Sequence, residues 1–224
     1  MNWIIHIELK SEAIFGNGQS VPGEVDQDIV HDIYGFPFYG AKALKGHLRE
    51  QTEFAAKALS QGVKDKKKTN LMEQTVNRIF GQPGLLEKSG GAVKITDATV
   101  PMTIRAPFIQ AVENGEIRRE EIFNALTSIR SFTSIDPRTG TAEDHSLRKF
   151  RIIRKGLCLE AELTGLDSFE EHELGLLAAG IAGVRTIGMM KTRGKGYVDC
   201  SIREGELDVT QRYLDRLREW VNLK

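Results

Sequence analysis

From Trp3 to Leu9 the chain alternates without a break: Trp3, Ile5, Ile7 and Leu9 fall on one face, Ile4, His6 and Glu8 on the other. A period of two is the signature of a half-buried strand. The period then changes along the chain. Leu44, Leu48, Phe54, Ala55 and Leu59 form the buried stripe of a helix over about 41–60, and Leu71 to Phe80 reads as a shorter one ending at Gly81-Gln-Pro-Gly. Gly90-Gly91 opens a strand pair, 93–95 and 99–104, with Asp97-Ala98 as a bulge. Ile122, Phe123, Leu126 and Ile129 predict a helix over 120–132. Strands follow at 150–153 and 157–163; in the second, Leu157, Leu159, Ala161 and Leu163 share a face. Ser168-Phe-Glu-Glu171 is a capping-box pattern opening a helix that ends near Val184. A strand at 197–202 precedes a final helix capped by Asp208, whose core side is Val209, Tyr213, Leu214, Leu217, Trp220 and Val221.

The strongest of these segments read strand, helix, two strands, helix, strand, the β-α-β-β-α-β order of an α+β, ferredoxin-like (RRM-like) domain. With 224 residues and 40% hydrophobic content the chain has a real core. It is expected to form one domain over 1–224, with insertions at about 11–40 and 61–91 and an arm at about 105–149. Within them, 15–23 is a loop, 61–70 a lysine-rich polar linker, and Asp136-Pro-Arg-Thr-Gly a turn on the arm. Fold alone does not decide function.

Net charge is zero, so no global basic signature of nucleic-acid binding is present. The charge is nevertheless segregated. Glu24, Asp26, Asp28 and Asp32 fall within nine residues, with His31 the one potential cation among them. Arg148, Lys149, Arg151, Arg154 and Lys155 follow one another with no intervening acid, and 174–198 carries only Arg185, Lys191, Arg193 and Lys195 as charged residues. Two distant cysteines and five histidines without ligand spacing predict no zinc site. No apolar run reaches the length of a membrane span, and the first residues lack the basic n-region and cleavage site of a signal peptide. A soluble, cytoplasmic protein with no membrane partner is expected.

The acids of 24–32 lead through Gly35-Phe-Pro-Phe38 into a helix start bearing Lys42, Lys45, His47 and Arg49. Such an order suits a polyanion held beside carboxylates that can bind a metal, although a solvated acidic loop before an amphipathic helix has the same composition. Gly188-Met-Met-Lys-Thr-Arg-Gly-Lys-Gly-Tyr197 lacks the spacing of a P-loop and lies between a helix and a strand in the wrong order for one. Lys195 and Cys200 stand where an RNA-recognition motif places aromatics, so base stacking is not expected. Exposed backbone N–H groups with Lys191, Arg193 and Lys195 instead suit a phosphate backbone gripped without sequence readout.

Three segments together resemble one family. GMMKTRGKGYV (188–198) looks like the glycine-rich signature loop of the RAMP superfamily of CRISPR proteins. DIYGFPFYGAKALKGHLRE (32–50) is similar to its D-x-x-G-x-P-[YF]-I-P-G-[ST]-[ST]-[LI]-K-G-x-L-R segment, and SIDPRTGTAEDHSLR (134–148) to the I-D-R-x-T-G-x-A segment of its protruding thumb. Size and thumb motif resemble the repeating backbone subunits of type III effector complexes. That resemblance implies a ferredoxin-like palm, assembly with copies of itself and other effector subunits along a crRNA guide, and a thumb that kinks the guide–target duplex. It also implies cleavage of target RNA by a loop aspartate with Mg²⁺ or Mn²⁺. Carried over, Asp26 takes the catalytic and metal-binding position, with Asp28 as second candidate, and Asp32 a mainly structural one. Lys42, Lys45, Arg49, Arg138, Arg148, Lys191, Arg193 and Lys195 become the RNA-binding residues. The family's I-P-G-[ST]-[ST] reads Tyr39-Gly40-Ala41-Lys42-Ala43 here. Two alternatives stay open: a non-cutting RAMP subunit that caps the crRNA 5′ end, and a metal-independent repeat-RNA processing endonuclease using His31 or His47.

Overall fold

The computed structural model describes residues 3–63, 65–82, 90–143 and 145–222. In chain order the elements are β1 (Trp3–Leu9), α1 (Ala41–Gly62), α2 (Lys66–Phe80), β2 (Lys94–Ile95), α3 (Met102–Glu113), α4 (Arg119–Leu126), β3 (Thr127–Phe132), β4 (Arg148–Ile153), β5 (Cys158–Thr164), α5 (Glu171–Gly183), β6 (Val198–Glu204), β7 (Leu207–Asp208) and α6 (Thr210–Asn222). β2, β5, β1, β6 and β7 form one sheet in that order, with antiparallel neighbours throughout. Removing the two-residue β7 leaves the strand order and directions of a ferredoxin-like sheet, its crossovers made by α1 and α5. β3 and β4 pair separately as a two-stranded ribbon.

Trp3, Ile5, Ile7 and Leu9 are buried and the residues between them half-buried, as the alternation requires. In register, Ile5 faces Ala161 and Ile202, and Ile7 faces Leu159 and Cys200, giving a continuous apolar floor for the helices. Leu44, Leu48, Thr52 and Ala56, one residue per turn, are the buried residues of α1. The hydroxyl of Thr52 donates to the Leu48 carbonyl at 2.7 Å, so a buried polar group is satisfied inside the helix. Opposite it lies Gly180 of α5, where any side chain would overlap Thr52. α6 lies against α5, with Val209, Tyr213 and Leu217 buried and Leu214, Trp220 and Val221 half-buried.

The structure corrects several sequence expectations. Phe54 is 69% exposed and does not belong to the stripe of α1. The linker expected at 61–70 is short, because α1 runs to Gly62 and Asp65 starts α2, its Oδ1 accepting from the Lys67 N–H at 2.8 Å. Of the expected Gly81-Gln-Pro-Gly turn, the last two residues lie outside the described segments. The expected strand at 99–104 is replaced by α3: Thr99 makes a single bridge to Glu160, then Pro101, with no N–H to donate, ends the pairing and precedes the helix. The expected helix over 120–132 stops at Leu126. Thr127 closes it by donating its hydroxyl to the Phe123 carbonyl at 2.7 Å, and Thr127–Phe132 pairs with β4. The capping box of α5 lies two residues later than expected, on Glu170 and Glu173.

Candidate functional site

The acidic segment folds back on β4, and its carboxylates part company there. Asp32 caps its own turn: Oδ1 accepts from the N–H groups of Tyr34 and Phe36, both at 2.9 Å, and Oδ2 pairs with Arg105 of α3. Asp28 accepts through Oδ1 from its neighbour Ile29 at 2.9 Å and from Arg151 Nε at 2.9 Å. Glu24 pairs with the same guanidinium. Asp26 is exposed and meets only backbone: its N–H donates to the Lys149 carbonyl at 2.8 Å, and Lys149 N–H returns a bond to Oδ2 at 2.7 Å. Oδ1 has no hydrogen-bond partner among the described residues. Asp26 lines a cavity of about 450 Å³ with Ser20, Val21, Pro22, Gly23, Glu24, Val25, Leu147 and Lys149, at the foot of the β3–β4 ribbon.

No group of three or more His, Cys, Asp or Glu residues among those described is placed to hold a metal ion. Asp26 differs from the other three clustered acids in that no arginine pairs with it among the described residues, which leaves its Oδ1 available as a hard oxygen ligand. One carboxylate fits Mg²⁺ or Mn²⁺ in the mode where substrate phosphates and waters complete the shell.

The basic half of the site lies across α1 and the glycine-rich loop. Gly188 and Gly196 have φ of +80° and +72°, and a Cβ at either would run into a backbone carbonyl, that of Ile14 or Ile187 respectively. The loop is thereby pressed onto the stretch that follows β1: Met189 N–H donates to Ile14 O at 2.9 Å and Gly196 N–H to Glu12 O at 2.7 Å. Between them a cleft of about 650 Å³ opens onto the start of α1, lined by Phe15, Tyr39, Gly40, Lys42, Ala43 and Gly188 among others. The first turn of α1 has no side-chain cap from Gly40; Ala41 N–H is taken by Asp97 Oδ1 at 2.6 Å. Gly40, Lys42 and Ala43 of that turn line the cleft.

The RNA-binding residues expected from sequence divide into two sets. Lys42, Lys45, Arg138, Arg148 and Arg193 have side chains without a hydrogen bond or ion pair among the described residues. Arg49, Lys191 and Lys195 are engaged. Arg49 donates to Glu53 at 2.7 Å and to the Gly81 carbonyl at 3.1 Å, tying α1 to the end of α2. Lys195 reaches Glu12 at 2.6 Å and lies over the Phe132 ring at 5.7 Å. Lys191 Nζ stands 3.3 Å from His47 Nε2. Burial, then the Lys191 charge, hold the His47 pKa below its usual 6.5, against a smaller opposing pull from Glu50, so the neutral ring accepts from Lys191. His31, the other histidine of interest, places Nδ1 2.8 Å from the Asp32 carbonyl and lies tilted against the Phe123 ring, centroids 4.6 Å apart. Arg138 sits in the turn at the tip of the ribbon, where Asp136 Oδ1 accepts its N–H at 2.8 Å; Arg148 begins β4.

With this geometry in view, the family model of the RAMP superfamily matches residues 6–199. The chain belongs to the RAMP superfamily. No curated protein matches it. Among solved structures, it is similar to a chain of a type III-B Cmr-beta complex bound to cognate target RNA. The TM-score is 0.61 at 13% identity, over 95% of this chain and 98% of that one. A chain of the apo Cmr-beta complex gives 0.61 and 13%, over 91% and 98%. At this identity the likeness establishes the shared fold, and the RAMP protein is thus similar to subunits of type III CRISPR effector complexes.

Three residues of this RAMP protein escaped the sequence reading: Glu12, Arg130 and Arg151. Glu12 accepts from Lys195 and, at 2.9 Å, from Arg130 of β3, joining the glycine-rich loop to the ribbon. Burial pushes its pKa up, but the bonds from Lys195 and Arg130 outweigh that and leave it below the usual 4.5. Arg151 was visible only as one of five cations within 148–155. An isolated acid just after an apolar strand, and an arginine flanked by Phe150, Ile152 and Ile153, were the available signals.

Proposed function

We propose that this RAMP protein is a crRNA-binding backbone subunit of a type III CRISPR effector complex, and that it cleaves guide-bound target RNA through Asp26 with Mg²⁺ or Mn²⁺. In this reading residues 1–224 form one domain, which assembles with copies of itself and other effector subunits. One observation carries it: of the four clustered acids, Asp26 alone has no arginine paired with its carboxylate; it is exposed, lines a cavity beside β4, and its Oδ1 has no partner among the described residues. Asp28 is occupied by Arg151, which argues against it as the cleaving residue.

The guide's phosphates would lie along the cleft at the start of α1, met by Lys42, Lys45 and Arg193, with Lys191 from the glycine-rich loop. Arg138 and Arg148 would follow the duplex along the ribbon. Contacts of this kind read no sequence and weaken steeply with salt. At the acidic end, Lys149 backbone groups hold Asp26 by N–H and Oδ2, leaving Oδ1 to act as ligand. A divalent ion held there supplies stabilisation of charge on the scissile phosphate, the neighbouring 2′-hydroxyl being the nucleophile.

The test is cleavage of a guide-complementary RNA by the assembled complex, wild type against Asp26→Ala, with Mg²⁺ and with EDTA. Evenly spaced cuts that disappear in both are expected. An unchanged ladder in Asp26→Ala would overturn the cleavage reading and leave a subunit that holds or caps the guide while another cuts.

A further inference from the structure

Arg151 is a charged side chain in an apolar place. It is 5% exposed on β4, and its guanidinium covers the Phe123 ring at 4.7 Å. Burying a guanidinium is costly unless it is fully paired. Its partners are Asp28, through Nε at 2.9 Å, and Glu24, through Nη2, while its own N–H donates to Gln27 O at 3.0 Å. Glu24 and Asp28 stand two residues before and two residues after Asp26. The arc that presents Asp26 is therefore gripped at both ends by one side chain. It is pinned at its middle by the reciprocal Asp26–Lys149 bonds, and bridged to β4 at Gln27 and Phe150.

This arrangement does two things at once. It sets the height and direction of the arc over β4. It also holds one oxygen of each of the two carboxylates that flank Asp26 against a guanidinium, which weakens both as competing ligands for a cation. An apolar residue at 151 would serve packing equally well but could do neither. We infer that Arg151 is a positioning residue for target-RNA cleavage, acting through Glu24 and Asp28 on the placement of Asp26. The inference rests on the Asp26 reading above.

Assembled complexes carrying Arg151→Met, Arg151→Lys, Asp28→Asn or Arg151→Met with Asp28→Asn test it, with Asp26→Ala as reference. Three quantities are measured: single-turnover cleavage against target concentration, guide affinity, and hydrogen–deuterium exchange at the Asp26 amide in the full chain. Arg151→Met is expected to slow cleavage at saturating target roughly tenfold to a hundredfold, the scale on which a small misplacement acts. Half-saturation and guide affinity stay unchanged, and exchange at Asp26 accelerates. Arg151→Lys recovers part of the rate. The double variant is no slower than Arg151→Met alone, because both changes break one clamp. If Arg151→Met does not assemble, Asp28→Asn, which keeps the side chain's size, is expected to show the same split more weakly.

Accelerated exchange with wild-type cleavage would overturn the inference, as would a parallel fall in guide affinity and rate, the mark of a purely structural loss. An Asp26→Ala complex that cleaves normally overturns the cleavage reading and this inference with it, a pattern that no Arg151 outcome mimics.

Discussion

The five-stranded palm and the foot of the β3–β4 ribbon are held together by different physics. Ile5, Ile7, Leu159, Ala161 and Ile202 meet in the palm as a buried apolar layer, and nothing in that contact prefers one direction of approach over another. At the ribbon's foot the joins are directional: Asp26 to Lys149, Asp28 and Glu24 to Arg151, Asp32 to Arg105, Glu12 to Arg130 and Lys195. Apolar burial supplies most of the stability but tolerates small shifts. Charge-assisted hydrogen bonds contribute less net energy yet specify geometry. The acids that could do chemistry lie in the part of the molecule where position is specified.

The sharpest way to separate the two regions is to damage the palm. Ile7→Ala removes a fully buried side chain from the central strand and is expected to cost about 2–5 kcal/mol of stability, read as a lower urea midpoint at unchanged slope. Below the transition, exchange at the Asp26 amide should stay as in wild type, because that bond belongs to the other region. Faster exchange at Asp26 under native conditions would mean that palm packing, and not the polar joins, places the arc.

Glu12→Gln tests the polar side and carries a pH signature. Despite burial, the bonds from Lys195 and Arg130 keep the folded-state pKa of Glu12 below the usual 4.5. A carboxylate depressed in this way stabilises the fold fully above its unfolded pKa, and that contribution is lost as pH falls through the lower folded value. The stability difference between wild type and Glu12→Gln should thus be constant at neutral pH and shrink below about pH 4.5. For a partly exposed pair its size is about 1 kcal/mol or less. Urea titrations of both proteins across that range decide it; a difference that grows with acidity would contradict the assignment.

The same division explains what could be read from sequence. β1, α1, β5 and β6 carry their own periods with large apolar residues, so each was legible alone. The helical spacing of Ile122, Phe123, Leu126 and Ile129 runs on past the end of α4, because what turns Thr127–Phe132 into a strand is its pairing with β4, and local spacing carries no trace of that. At the site, the acidic cluster was plain, but the division of labour within it was not. Asp28 is taken by Arg151, 123 positions later, and Asp32 by Arg105, 73 positions later. Spacing within a loop cannot reveal which of its acids a distant arginine will occupy.

Phe54 is the smallest and most local test of that lesson. Counted by composition it belongs in the stripe of α1, yet the buried positions 44, 48, 52 and 56 recur every four residues and pass it by. The stripe instead spends one of its places on Thr52, because α5 approaches so closely at Gly180 that a larger residue has no room. Phe54, two positions from Thr52, is turned well away from that contact and is 69% exposed. Phe54→Ala in the isolated chain should leave the urea midpoint within about 0.5 kcal/mol of wild type, the usual range for a surface change. Thr52→Leu, a gain in hydrophobicity on paper, should destabilise by about 1–3 kcal/mol through overpacking against α5. If the order were reversed, the helix would be rotated about its axis relative to the one described, and Lys42 would no longer line the cleft beside Gly188.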